Sequence, residues 1–409
     1  MPTEAPPGNF RKIRSLRDEE EEAKALAAAR NAALRRKAIK SLCKALLCIA
    51  VALLLFRSAW WICGDVRMSN VSDALKLLFT AGGSFPVSVS GSMQGQAVTK
   101  STAGVVNEKT LYIYNAAGAE ILAAPMEFAN PVIIAYNGRY LVYDKDDGAF
   151  TLYSRTKTLY SEGVHSRVFG AALAQNGSVA IAHEGDKAAG AVTVFDPRGE
   201  KIFSQSYAYA YPGVPAFAGN GKEIALGVAF TKNAIPMTTL LRYSLKTGEV
   251  LEETEIKDFL PLHTVALSGQ GILSFGADKA VFAAPGKQTT QTPYGEAKAV
   301  AFSADARTGL SGVLLDPYSS SEGEVWLFSR KGEKTREAVL PSAALAIQIS
   351  GRTVVCNNTK DIYRFMSSTA VKVGEPLPAG LRCILSDGRT VFSFGTAGLD
   401  RIDTIWKSV

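Results

Sequence analysis

Two hairpin patterns alternate along this chain from residue 85 to its end, and that alternation restricts the fold more than any other feature. The first pattern is an apolar strand, a tight turn rich in Asn, Asp or Gly, and a second apolar strand. It reads VIIAYNGRYLVY at 132–143, ALAQNGSVAIA at 172–182, FAGNGKEIALGV at 217–228 and VALSGQGILSF at 265–275. It returns at 301–313, 348–356 and 384–394, with a degenerate copy at 96–106. The second pattern is a strand, a polar turn and a more polar strand, as in LYIYNAAGAEIL at 111–122, FTLYSRTKTLY at 150–160 and VTVFDPRGEKIF at 192–203. Copies follow at 241–253, 280–291, 324–337 and 361–373, and an eighth begins near Leu399 without room for a full partner strand. Asn-Gly and Asp-Gly supply the positive-φ positions of hairpin turns, and the flanking alternation supplies the strands.

Joined end to end, the two patterns make a four-stranded unit about every 41 residues, within the range of a β-propeller blade. Inner strands, packed between neighbouring units, must be apolar on both faces, whereas the outermost strand has one edge in water. The orphan segment FPVSVSG at 85–91 is placed to complete the last unit and so tie the two ends of the ring together. The expected fold is therefore all-β, an eight-bladed β-propeller over 85–409, with seven blades as the alternative. No amphipathic helical stretch lies between the strands, which argues against a parallel α/β sheet.

The N-terminal part has a different character. Residues 45–56, ALLCIAVALLLF, are twelve apolar residues without a break. Extending the run to Leu42 and Cys63 gives a length that can cross a bilayer, which takes roughly twenty residues. Lys44 can snorkel at one end, while Trp60 and Trp61 suit the opposite interface. A cleaved signal peptide would need small residues after the run, where two tryptophans stand instead. Arg30, Arg35, Arg36, Lys37, Lys40 and Lys44 cluster at the start of the span and only Arg67 follows it closely. The positive-inside rule then puts the N-terminus in the cytoplasm. The expected organisation is a tail at 1–41 with an alanine-rich helix, a transmembrane signal anchor at 42–63, a juxtamembrane linker at 64–84 and an extracytoplasmic propeller beyond.

The formal net charge of +7 resides in the N-terminal part, and the remainder is close to neutral. That removes the electrostatic case for a nucleic-acid partner. The anchor, the segment GGSFPVSVSGS at 82–92 and TLYIYNAAGAEIL at 110–122 resemble an uncharacterised family of membrane-anchored propellers from Gram-positive bacteria, a domain of unknown function. The blades resemble quinoprotein-like and WD-type propellers. The resemblance implies fold and a cell-membrane location in a Gram-positive bacterium, and implies no activity.

Motifs that carry chemistry are scarce. The three histidines, His165, His183 and His263, share no ligand spacing. The stretch YDKDDG at 143–148 falls short of a calcium loop and reads as a charged turn. No metal or cofactor is expected. Quinone-cofactor propellers carry a tryptophan docking motif in each blade, whereas this ring has only Trp326 and Trp406. Cys356 and Cys383, on strands of adjacent blades, are candidates for a disulfide, with two buried free thiols as the other reading. In SYAYAYPG at 206–213, alternation puts Tyr207, Tyr209 and Tyr211 on one face as a candidate aromatic binding rim; the other reading packs them against the next blade. The expected function is non-enzymatic: a membrane-tethered scaffold that holds an envelope protein or cell-wall polymer. The alternative is an envelope hydrolase or lyase with its site in the propeller channel.

Overall fold

A computed structural model describes residues 10–402 except 64–67, 81, 268, 306–307, 317–321, 352, 359, 366–370, 373–380, 387–389 and 397. Residues 1–9 of the tail, 64–67 of the linker, and Trp406 lie outside the described residues. The chain divides into two units, residues 1–66 and 67–409.

The first unit is a single helix, α1 (Phe10–Cys63), which joins the expected tail helix and the expected span without a break. Its stretch Leu34–Leu55 has a mean hydropathy of 2.2 and is long and apolar enough to cross a membrane.

The second unit is an eight-bladed propeller preceded by a short helix. Seven blades are antiparallel sheets of consecutive strands, over 95–125, 131–163, 168–207, 211–257, 263–293, 298–340 and 346–372. In blade 8, three strands over 383–401 are completed by Val87–Ser88, which pairs antiparallel with Gly398–Arg401. The expected closure through FPVSVSG is the observed one, and the count is eight.

Each of the eight junctions between neighbouring blades holds its own hydrophobic cluster. The second strand of blade 2 shows why the inner hairpins read as continuous apolar runs. Tyr140 and Val142 pack toward blade 1 while Leu141 and Tyr143 pack toward blade 3. Both faces of the strand are buried, so alternation with polar residues is lost. Close approach leaves little slack. At Gly104, on the corresponding strand of blade 1, an added Cβ would lie 2.5 Å from the Tyr140 ring.

The expected linker contains a twelve-residue helix, α2 (Met68–Phe79). Its Asp73 is completely buried: the carboxylate accepts hydrogen bonds from Thr156 Oγ1 and from Ser154 Oγ at 3.1 Å, and lies 3.9 Å from the Arg139 guanidinium. Those partners sit at the turn between the first two strands and the turn between the last two strands of blade 2. In an antiparallel blade both turns lie on the same side, so α2 is clamped to that side of the ring.

Candidate functional site

The opposite side of the ring carries the connections from one blade to the next, and exposed apolar side chains gather there. Among the described residues of the ring, the exposed large apolar side chains are ten. Four of them, Ile202, Val250, Leu251 and Val339, stand on outer strands. The other six are Tyr209, Tyr211, Leu260, Leu262, Val300 and Leu345. Five lie in, or at the end of, connections entering blades 4, 5 and 7, and Val300 stands near the start of the inner strand of blade 6. Scattered apolar residues on a surface need no explanation, whereas a gathering on one side is a candidate interaction face.

Local structure aims these side chains. The inner strand of blade 6 has a bulge between Ala299 and Ala301, and Val300 is the extra residue. The inner strand of blade 3 has a bulge between Val168 and Gly170, and Phe169 is the extra residue. A bulge re-aims a side chain out of the strand's alternation. Phe169 meets Tyr211 edge-on at 6.0 Å between ring centroids.

The three tyrosines of the expected rim do not share one strand face. The outer strand of blade 3 ends at Tyr207, and the chain then crosses to blade 4, where Tyr211–Pro212 pairs with the strand Glu223–Lys232. Alternation therefore stops at Tyr207. Its ring is turned inward, with its hydroxyl 3.2 Å from that of Tyr243 and its titration pushed far up by burial. Tyr209 is 90% exposed and Tyr211 is 58% exposed, and these two belong to the apolar face. Leu260, Leu262 and Leu345 escaped the sequence reading. Their signal is the presence of leucines in KDFLPLH at 257–263 and PSAALAIQ at 341–348, where connections are expected to be polar.

The candidate disulfide is corrected: Cys356 and Cys383 are both free, the other of the two readings. Adjacent blades do not bring these two positions together, because the side chains serve different junctions. Cys356 packs between blades 6 and 7, whereas Cys383 packs between blades 8 and 1, where Gln96 Nε2 donates to its Sγ at 2.9 Å. Burial pushes both thiols up and keeps them protonated. Alkylation of the denatured, unreduced chain should therefore label both cysteines. A mass lower by two hydrogens with neither labelled would overturn the assignment.

The titratable groups singled out by the sequence are occupied within the fold. Asp144, in the calcium-like turn, is buried, yet backbone N–H groups of Asp146, Asn130, Ala129 and Asp147 hold its carboxyl below the usual range. Donors of this kind do a cation's work. Among the described residues no group of three His, Cys, Asp or Glu could hold a metal ion.

His183 borders a groove of about 410 Å³ between blades 2 and 3, together with Glu162, Thr193 and Lys201. Its Nε2 lies 2.9 Å from Thr193 Oγ1; its Nδ1 lies 2.8 Å from the Glu184 carbonyl and 3.0 Å from Ser166 Oγ. A carbonyl can only accept, so Nδ1 carries the proton and Nε2 accepts from the threonine. In that tautomer the imidazole cannot take a proton from Ser166, and the pair is a structural contact. Burial depresses its titration and keeps it neutral. His263 is stacked 5.8 Å from Phe302 and 6.5 Å from Phe275, and burial pushes it down to about 4.

The inner strands that surround the channel are GQAVT, PVIIAY, VFGAAL, AFA, HTVAL, KAVAFSAD, AIQIS and CILS. Small, apolar and amide residues dominate them. Their one carboxylate, Asp305, accepts hydrogen bonds from the backbone N–H groups of Gly351, at 2.5 Å, and Thr308.

A family model described as "Family of unknown function (DUF5711)" matches residues 90–402. No curated protein matches the sequence. Among solved structures, Sqt1 of Saccharomyces cerevisiae is similar, with a TM-score of 0.55 and 10% identity over 76% of this chain and 95% of that one. A structure titled as the eukaryotic initiation factor gives 0.51 and 10% over 79% and 90%. BamB from Moraxella catarrhalis gives 0.49 and 10% over 77% and 97%. At these identities the likeness to the first two is one of fold.

Proposed function

We propose that this chain, which belongs to the family of unknown function DUF5711, is a membrane-tethered scaffold whose blade-connection face binds a protein partner outside the cytoplasm. The observation that carries the reading is the gathering of Tyr209, Tyr211, Leu260, Leu262, Val300 and Leu345 on one side of the ring. Aliphatic side chains beside aromatic ones suit the apolar centre of a protein interface, which tyrosine in particular enriches. A cell-wall polymer would call for a rim of aromatic and hydrogen-bonding groups, and four of the six residues here are aliphatic.

The apolar stretch of α1 supports the tether, and the basic residues before it support a cytoplasmic N-terminus. The non-enzymatic reading is supported by the chemistry of the inner strands and by histidines and carboxylates already engaged by their neighbours.

The test is site-specific photocrosslinking in cells at Leu262 and, on the opposite side of the ring, at Lys100. One recurring adduct from Leu262 and none from Lys100 is expected. Combining Tyr211→Ala, Leu262→Ser and Leu345→Ser should then lower that adduct at least tenfold, which corresponds to about 1.4 kcal/mol of lost affinity. Equal adducts from both positions, or an adduct indifferent to the triple change, would remove the face from consideration.

A further inference from the structure

Among the described side chains of α2, three of the four large apolar ones are left uncovered. Asp73, Ala74, Leu77 and Thr80 lie toward the ring, with Asp73 wholly buried against Thr156, Ser154 and Arg139. Leu75, Leu78 and Phe79 are 52%, 79% and 85% exposed, with Lys76 exposed among them. A surface helix of a soluble protein has the reverse arrangement, burying its apolar stripe and wetting its charged residue. Beside the stripe a groove of about 380 Å³ opens between Leu75, Phe79, Ile121 and Thr156.

The course of the chain says what covers this stripe. Only residues 64–67 separate the end of α1 at Cys63 from the start of α2 at Met68. Five peptide steps reach at most roughly 18 Å. If the apolar stretch of α1 crosses a bilayer, α2 begins within reach of the headgroup layer. Leucine and phenylalanine on one side with a lysine at their border is the composition of a helix that lies in a membrane interface.

We propose that α2 is a membrane-interface foot, with Leu75, Leu78 and Phe79 inserted at the acyl boundary and Lys76 among the lipid phosphates. The proposal rests on the tether reading above and adds an orientation to it. Because Asp73 clamps α2 to the turn side of blade 2, that side of the ring faces the bilayer. The apolar connection side is presented away from it, open to a partner.

The test uses the full-length chain in nanodiscs of phosphatidylcholine and phosphatidylglycerol. Cys43, Cys48, Cys63 and Cys383 are changed to serine, and the buried, unreactive Cys356 is left in place. A single spin label is placed in turn at Leu54→Cys, Leu78→Cys and Tyr209→Cys. Accessibility to oxygen and to a water-soluble nickel complex is read by electron paramagnetic resonance. The expected result is Leu54 deep in the bilayer, Leu78 a few ångströms below the phosphates, and Tyr209 in water. Leu54 in the bilayer with Leu78 as water-accessible as Tyr209 overturns the foot and leaves the tether standing. Leu54 in water overturns both. Leu78 shielded from both reagents, with spin–spin broadening between copies, overturns the foot in favour of a second copy as the occupant. An unlabelled control guards against misfolding: hydrogen exchange over 68–80 should be at least fivefold faster in Leu78→Glu/Phe79→Glu than in the unaltered chain, and only when lipid is present. An equal difference without lipid would also overturn the proposal.

Discussion

Replacing Arg242 with methionine is expected to destabilise the propeller by about 3–5 kcal/mol at neutral pH, through the charge it abandons. Arg242 stands opposite Glu252 on the neighbouring strand of blade 4, with Nη2 3.3 Å from the Glu252 carboxylate and Nη1 3.3 Å from that of Glu223. On its strand it shares a face with Leu240, which packs against blade 5. The side chain of Glu252 is only 3% exposed, so it depends on the arginine for compensation, whereas Glu223 at 27% retains water. Burial already raises the Glu252 titration and Arg242 opposes the rise.

Without Arg242 that opposition disappears, and the carboxyl must either stay charged and unpaired or take up a proton. The variant's deficit should therefore be greatest at pH 8 and shrink as pH falls and Glu252 is protonated. Combining the change with Glu252→Gln should recover much of the loss, which a double-mutant cycle in urea would show. A deficit under 1 kcal/mol, or one equal at pH 5 and pH 8, would mean the pair contributes only packing.

The second large effect concerns acid. His263 has a folded-state titration near 4, against an ordinary value near 6.5, because burial beside Phe302 and Phe275 strips water from its ring. The folded chain resists protonation there while the unfolded chain accepts it. The stabilising effect of the neutral ring is thus fully present above pH 6.5 and is lost as pH falls from 6.5 toward 4. A depression of this size has an upper value near 3 kcal/mol, and residual solvent contact brings the expected loss to about 2 kcal/mol. Denaturation midpoints measured across that window should fall less steeply in His263→Phe than in the unaltered chain. Identical slopes would show that the ring is protonated without cost in the fold.

Much of the architecture was legible along the chain, for an identifiable reason. Turn residues such as Asn137-Gly138 and apolar runs such as Arg139–Asp144 are local signals, and a ring repeats them at a constant interval. The closing role of Val87–Ser88 was also readable, since an unfinished last blade demands a strand from elsewhere. Local patterning stopped short at points where two elements compete for the same residues. Tyr207, Tyr209 and Tyr211 look like one alternating strand, yet the first ends blade 3 and the third begins blade 4. Likewise, Cys356 and Cys383 are on adjacent blades but on faces that look to different neighbours.

By itself, then, the sequence determined the repeating hairpins, a count of eight blades or seven, the closure of the ring and the apolar character of α1. All of these follow from residue type, spacing and short-range turns. Tertiary structure decided which side of the ring carries the exposed leucines and tyrosines, where Asp73 is buried, and which charged groups are paired. Each of those depends on side chains brought together from connections and strands far apart in the chain, and no periodicity records such meetings.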